Sequence, residues 1–534
     1  MYSESSQDQT EERHNLLGPD ASPRPKYWKT YPSLWLRTFR RSPFAKPLIY
    51  LVIVLLLVLV LNPFVNPSYT TLPAHYHQLR QGCEDTNYAP GCANPNSEKV
   101  FLAAILYDKD GKLASGIWGE RILSLISLLG PSNVYLSIYE NDSGPEGKAA
   151  LEHFKTRVPC ANHIVFDETV TPSSFPNITL PDGSQRIKRT AYLADLRNRA
   201  LQPLDALTDV PQFDKVLYLN DVSFNPLDAA HLLFNTNLDP DTGRASYVAA
   251  CATDFWKHFR LYDIYALRDA EGFADYQSLF PFFPNRGNAV SRKAVLQQSD
   301  AVRVKSCWGG MMAMQAKYVQ NMERSLPSEG WRDISTHVIN PDNPRNVSAP
   351  VRFRFEPDVY YDACECCLFP ADLETVARRS GDAETGIYMN PYVRVTYEEP
   401  FFQWLGVDKL WERLLSPVRV FLSWFTQEVQ HPWRMVQEGE RFKEEIWDGD
   451  AWKLVDRVGR NGLFCGVREM QILRKKGSLK PGMKLANNWI NTRYPPGQTL
   501  DFRSWWGKEL HRNWKEEYAA TEEGERESFF QLDY

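Results

Sequence analysis

One residue in this chain makes a clear chemical demand: an acid that directly follows an apolar run. Val216-Leu-Tyr-Leu219 leads into Asn220 and Asp221. A carboxylate at the mouth of a buried strand is costly unless positive charge meets it, and a divalent cation carrying a diphosphate does that. Asp221 is therefore the candidate metal ligand, for a hard divalent cation. Upstream, Tyr192, Arg197, Asn198 and Arg199 are candidates, with Asn220, to hold the diphosphate of a nucleotide donor, whose departure a hard cation and nearby basic groups assist. The bland alternative makes Asp195 and Arg199 an i,i+4 ion pair on a solvated helix. Downstream, Asp254, Asp263, Asp269 and Glu271 stand among Trp256, Tyr262, Tyr265 and Phe273. Rings stack on sugar faces and acids bond hydroxyls or take a proton, so these four acids are candidate catalytic groups. Ser306-Cys-Trp-Gly-Gly-Met311 sets small residues beside Trp308, where backbone can approach a ligand closely.

Elements must position these groups. Val100–Leu106 reads as a strand, closed by Asp-Lys-Asp-Gly, and Ile117–Leu129 as a helix closed by Gly130 and Pro131. Strand 133–139, helix 148–157 and strand 162–166 continue the alternation, which predicts a mostly parallel sheet with helices on its faces. Ligands in such sheets sit beyond the carboxyl ends of the strands. A helix over 186–204 carries Leu193, Leu196, Ala200 and Leu204 as its apolar stripe, and Lys188, Tyr192, Asp195 and Arg199 as a separate polar face. Another strand runs over 247–252 and ends near Asp254. The literal Asp-x-Asp pairs, Asp108 with Asp110, Asp239 with Asp241 and Asp448 with Asp450, lie among Gly or Pro, where Asp is favoured for turn geometry.

Residues 1–47 are polar and aperiodic and form the expected disordered cytosolic tail. Residues 48–65 form the expected transmembrane anchor, with Leu48–Leu61 free of charge. Arg37, Arg40, Arg41 and Lys46 precede the span, which places the amino terminus in the cytosol and the rest in the lumen. All nine cysteines and the sequons at Asn141, Asn177 and Asn346 fall on that lumenal side. Cys364-Glu-Cys-Cys367 suits disulfide bonding better than zinc, for want of a fourth ligand at familiar spacing. A stem is expected over 66–97, a catalytic domain over 98–400, and a mostly helical, aromatic-rich extension over 401–534. A formal net charge of −5 without a basic stripe argues against nucleic acid as a partner.

Several of these segments together resemble the cryptococcal mannosyltransferase and capsule-associated protein family. They are Tyr192-Leu-Ala-Asp-Leu-Arg-Asn-Arg-Ala-Leu201, Leu217-Tyr-Leu-Asn-Asp-Val222, Cys251-Ala-Thr-Asp-Phe255, Tyr262-Asp263 with Arg268-Asp-Ala-Glu-Gly272, and Ser306-Cys-Trp-Gly-Gly310. The resemblance implies an A-type glycosyltransferase fold, a Rossmann-like mixed sheet flanked by helices. It also implies a fungal α-1,3-mannosyltransferase of the Golgi membrane, single-pass type II, that passes mannose from GDP-mannose to a glycan acceptor with Mn2+ or Mg2+. Asn220-Asp221 departs from Asp-x-Asp at the strand end, which leaves the second metal ligand open. Retention needs no side-chain nucleophile if the leaving phosphate serves as base; inversion would need a carboxylate base, for which Asp254, Asp269 or Glu365 could serve. The alternatives are another nucleotide-sugar donor on the same fold, or a non-catalytic glycan-binding scaffold.

Overall fold

The computed structural model describes residues 45–168, 175–205, 211–274, 279–322, 348–382, 386–425, 438–447, 452–467, 469–474 and 489–493. The chain divides into two units, Met1–Leu61 and Asn62–Tyr534. The helix Ala45–Val65 carries a stretch, Lys46–Val65, long and apolar enough to cross a membrane. Its Leu, Ile and Val side chains are exposed from Leu48 to Leu61, which is compatible with a membrane anchor.

The second unit is built on one ten-stranded sheet. In chain order the strands are β1 (Val100–Leu106), β2 (Val134–Asn141), β3 (Ala161–Asp167), a small hairpin of β4 (Ile178–Thr179) and β5 (Gln185–Arg186) outside the sheet, and β6 (Lys215–Leu219). There follow β7 (Ala249–Lys257), β8 (Arg260–Leu261), β9 (Arg268–Asp269), β10 (Val302–Ser306), β11 (Met311–Gln315), the short β12 (Asp362–Ala363), again outside it, and β13 (Ile387–Thr396). The order across the sheet is β3-β2-β1-β6-β11-β7-β13-β10-β9, with β8 on β7. β1 pairs in parallel with β2 and β6, β2 with β3, and β7 with β13; β11 runs antiparallel between β6 and β7. With β10 antiparallel to both β13 and β9, seven strands share one direction, and the mixed sheet flanked by helices is the fold expected.

Side-chain alternation along β1 sends Val100, Leu102, Ala104 and Leu106 to one face and Phe101 and Ala103 to the other. On the first face Ile122, Leu125 and Leu129 of the helix Ile117–Leu129 complete a core with the helix Pro226–Phe234. On the other, Leu196 and Ala200 of the helix Arg189–Ala200 pack with Leu368 and Leu373 of the helix Glu365–Arg379.

Three expectations change. The helix read over 186–204 is shorter, Arg189–Ala200, and its polar face is not a solvated one. Lys188 and Tyr192 are fully buried, Lys188 because the carbonyls of Glu356, Asp358 and Tyr361 and the carboxylate of Asp362 surround its ammonium group. The stem over 66–97 contains the helix Ala74–Asp85 and a Cys83–Cys92 disulfide, and it buries Tyr69 and Tyr76 in the main core. The carboxyl-terminal extension is helical only to Phe425; beyond it the described residues form antiparallel strands, Arg441–Trp447 with Trp452–Val458 and Glu469–Leu473 with Trp489–Arg493.

Candidate active site

The carboxyl ends of β1, β2, β3, β6, β7 and β13 and the amino end of β11 share one edge of the sheet, which is where the pairings put Asn220, Asp221, Asp254, Gly309, Gly310 and Tyr397. Asn220 is buried and engaged by its neighbours. Its N–H donates to the Gly310 carbonyl (2.9 Å), its Oδ1 accepts from Arg197 Nη1 (3.0 Å), and its Nδ2 donates to the Tyr397 hydroxyl (2.7 Å). Asn220 therefore ties three segments together, with one N–H of its side-chain amide left over. Asp221, half-buried beside it, has no hydrogen-bond or ion-pair partner among the described residues.

β7 brings in Asp254, and the loop that follows β8 brings Asp263 back to it. The Asp263 N–H donates to Asp254 Oδ1 (3.2 Å), and Asp263 Oδ1 in turn accepts from the Ala266 N–H (3.0 Å). In each acid Oδ2 is shut away from solvent without a partner among the described residues. Burial, and after it the charge of Asp263, raises Asp254 well above the usual carboxylate range. Burial also raises Asp263, against the opposing N–H groups of Ala266 and Gly309 and the more distant Arg197. Both shifts favour the protonated form more than in a solvated carboxylate. Asp221 stands on the same edge of the sheet, two strands away, and an unpaired carboxylate there is the kind of oxygen ligand that a hard divalent ion takes.

The Cys251–Cys307 disulfide pins the Cys-Trp-Gly-Gly turn against β7. Gly309 and Gly310 have φ of +58° and +66°, the left-handed region glycine favours. A Cβ on Gly309 would run into the Ala252 carbonyl, and one on Gly310 would stand 2.8 Å from Val222 Cγ1. The turn is thus tight because backbone from β7 and the Asn220–Val222 segment closes on it from both sides. Trp308 is buried, 4.5 Å from the Arg197 guanidinium, and its Nε1 has no partner among the described residues. Trp308 supports Arg197 and is no exposed platform; Tyr262, 37% exposed and 4.8 Å from the Tyr397 ring, is the aromatic open to solvent here.

The donor-binding candidates on the helix Arg189–Ala200 are occupied within the protein. Arg197 is buried and pairs with Glu365 (3.1 Å) as well as with Asn220. Asn198 bonds both the N–H and the carbonyl of Phe353, and Arg199 pairs with Asp195 and reaches Tyr139 and Asp167. Tyr192 donates toward Asp142 and accepts from Asn141. These groups shape the site from behind. Asp269 and Glu271 are not brought to Asp254: β9 lies three strands from β7. Asp269 accepts from the N–H groups of Glu271 and Phe273, and Glu271 from the N–H and amide of Asn288, so both organise a loop.

Cys367 pairs with Cys465, whereas Cys364 and Cys366 remain thiols around Glu365. These two thiols and the carboxylate lie within 4.8 Å of one another. Arg197 already balances Glu365, and burial pushes the Cys366 thiol up, so the cluster holds no surplus negative charge for a cation. Asp108 caps the N–H groups of Leu113 and Ala114, Asp110 pairs with exposed Lys112, and Asp239 closes a turn onto Asp241 and Thr242. Asp448 and Asp450 lie outside the described residues. Sequence reasoning missed Tyr397 and Glu140, although both stand where strands end. Glu140 is fully buried on β2, and burial lifts its carboxyl to about 7.

The mannosyltransferase PcManGT from Pyrobaculum calidifontis, solved with GDP-Man and Mn2+, aligns at 10% identity over 65% of this chain and 71% of its own, with a TM-score of 0.29. Mannosyl-3-phosphoglycerate synthase from Rubrobacter xylanophilus aligns at 10% identity over 74% and 94%, at 0.28. TarS from S. aureus, solved with UDP, aligns at 10% over 59% and 65%, at 0.27. At such scores the fold rests on the strand order given above. No curated protein matches the chain. A family model does, that of cryptococcal mannosyltransferase 1, over residues 99–372. This match takes in just over half of the 534 residues and every element of the edge described above except β13 and Tyr397, and on it the chain belongs to the cryptococcal mannosyltransferase 1 family.

Proposed function

We propose that this family member transfers mannose from GDP-mannose to a hydroxyl of a glycan acceptor, forming an α-1,3 linkage in fungal glycan or polysaccharide synthesis. In this reading it is a type II protein of the Golgi membrane with its catalytic part, residues 98–400, in the lumen. The observation that carries the reading is an unpaired Asp221 on the edge where strands end, the same edge that holds the Asp254–Asp263 pair. Asp221 is the residue to hold a Mn2+ or Mg2+ ion, which when bound would neutralise the donor diphosphate. The Asp254–Asp263 pair then stands ready to bond sugar hydroxyls or accept the acceptor proton, and Tyr262 offers a ring to the sugar face. The scaffold alternative drew on Asn220 in place of a second acid. Asn220 has a structural part of its own, joining Arg197, Gly310 and Tyr397, which accounts for an amide at that position without a loss of activity.

The test is turnover of GDP-mannose by the full chain, with and without Mn2+ and over a panel of acceptor glycans, together with melting in the presence of GDP, UDP and their sugars. Stabilisation by GDP and manganese-dependent turnover are expected. Asp221→Asn should fold normally and lose activity by about 100-fold or more, as when one preorganised electrostatic group is removed. A response to UDP-sugars alone would overturn the donor assignment, and a normal rate in Asp221→Asn would remove it from the metal site.

A further inference from the structure

The helix Glu412–Phe425 is built inside out. Glu412 is buried and forms a two-point ion pair with Arg394 (3.0 and 2.7 Å), and Ser416, one turn on, is buried too. At 100° per residue the opposite face carries Val418 and Phe421, and these are 52% and 54% exposed. A helix covering an aqueous surface does the reverse, with its apolar stripe inward. Just before it, on the short helical segment that ends at Asp408, Trp404 and Val407 are also exposed.

What lies near this face is fixed by hydrogen bonds within the second unit. Asn62 Nδ2 donates to the Leu410 carbonyl (2.6 Å), the Ser68 N–H to the Lys409 carbonyl (2.8 Å), and Arg413 Nη1 to Asn66 Oδ1 (3.1 Å). Asn62 follows Leu61, the last residue of the uncharged apolar run, directly in the chain. Residues 409–413 are therefore clamped to the segment where the chain would leave a bilayer, whichever way the rest of the unit leans. The helix that starts there is about 21 Å long, so Val418 and Phe421 stand within about 14 Å, measured along the helix, of that point of exit.

We infer that the outward face of Glu412–Phe425, with Trp404, lies in the headgroup layer of the same bilayer that the helix Ala45–Val65 crosses. It makes a second, interfacial contact of the kind amphipathic helices form, with Trp at the boundary. The contact holds the unit against the membrane, where a membrane-borne or surface-bound acceptor would be found. It rests on reading Ala45–Val65 as the anchor.

The experiment places a diazirine amino acid at Leu55, Trp404, Val418 or Leu454 of the full chain in phosphatidylcholine–phosphatidylserine vesicles, checks that each protein melts like the parent, and reads lipid adducts after illumination. Leu55 reports the anchor, and Leu454, 66% exposed on a distant hairpin, reports the aqueous background. Adducts at Trp404 and Val418 severalfold above Leu454 are expected. Adducts at Leu55 alone would overturn the interfacial contact and leave the anchor standing, whereas none at Leu55 would overturn both. Protein–protein adducts at Val418 without lipid would assign the face to a second copy and equally overturn the inference.

Discussion

Asp254 and Asp263 confine two carboxyl groups to a space that favours one negative charge at most. Both are raised above their unfolded values, so the folded state holds protons that the unfolded chain has released. The stability tied to the pair is therefore fully present below the unfolded carboxylate pKa and is lost as pH rises through the folded values. Asp263→Asn removes a repelling partner and should raise the melting temperature at pH 8, with the gain shrinking toward pH 4, while turnover falls by about 100-fold. Thermal melts across that range decide the point; an equal gain at pH 4 and pH 8 would show that the pair is not electrostatically strained. This is the pattern of a site that sacrifices stability for function.

At the scale of elements, the sequence made the parallel half of the sheet readable because each strand there is followed by its own helix. The observed β1 and the helix Ile117–Leu129 match the expected bounds, and β2, β3 and β7 differ from theirs by one to five residues at either end. Asp221, Asp254 and Asp263 were legible as strand-end or near-strand acids. Their companions were not, since Phe353 and Glu365 lie more than 150 residues from Asn198 and Arg197, and no local pattern shows whether a helical Arg faces a ligand or a buried Glu. The polar face assigned to Lys188 and Tyr192 failed for the same reason: carbonyls from residues 356–361 enclose Lys188, and Asn141 and Asp142 engage the Tyr192 hydroxyl. β11 was invisible because an antiparallel insertion buried on both faces reads as a plain apolar run. One element, the Cys-Trp-Gly-Gly turn, can be tested by its shape. Gly309→Ala imposes both left-handed strain and a collision with Ala252, whereas Gly183→Ala at φ +79° meets nothing within 4 Å. Gly183→Ala should cost about 1 kcal/mol and spare turnover, and Gly309→Ala should cost about 3 kcal/mol or more and lower turnover as well. Equal effects in denaturant melts and rates would show that the turn has room to spare.

For the whole molecule, compartment and burial together select among the glycosylation sequons. Asn141 ends β2, is buried, and donates to Asp142 and Tyr192, so it is a poor acceptor, contrary to the sequence reading that treated all three sequons alike. Asn177 is exposed, and Asn346 lies outside the described residues. If the orientation is type II, a glycosidase-sensitive gel shift should vanish in Asn177→Gln and persist in Asn141→Gln, apart from any glycan on Asn346. Protease added to sealed microsomes should remove only about the first 47 residues, the expected tail. Loss of the large carboxyl-terminal fragment without detergent would show the orientation to be reversed.

The three disulfides have a consequence in time. Cys83–Cys92, Cys251–Cys307 and Cys367–Cys465 span 9, 56 and 98 residues, and none overlaps another along the chain. A nascent polypeptide entering an oxidising compartment can close each loop before the first cysteine of the next bridge appears. At roughly 5–20 residues per second, Cys307 follows Cys251 by about 3–11 s. During that interval the unpaired thiol of Cys160 is the wrong partner already to hand. The last bridge is the exposed step, because Cys364 and Cys366 arrive with Cys367 and all three wait for Cys465. In such a compartment biogenesis of this chain would run as a sequence of local closures, with the choice among three neighbouring thiols left to the end.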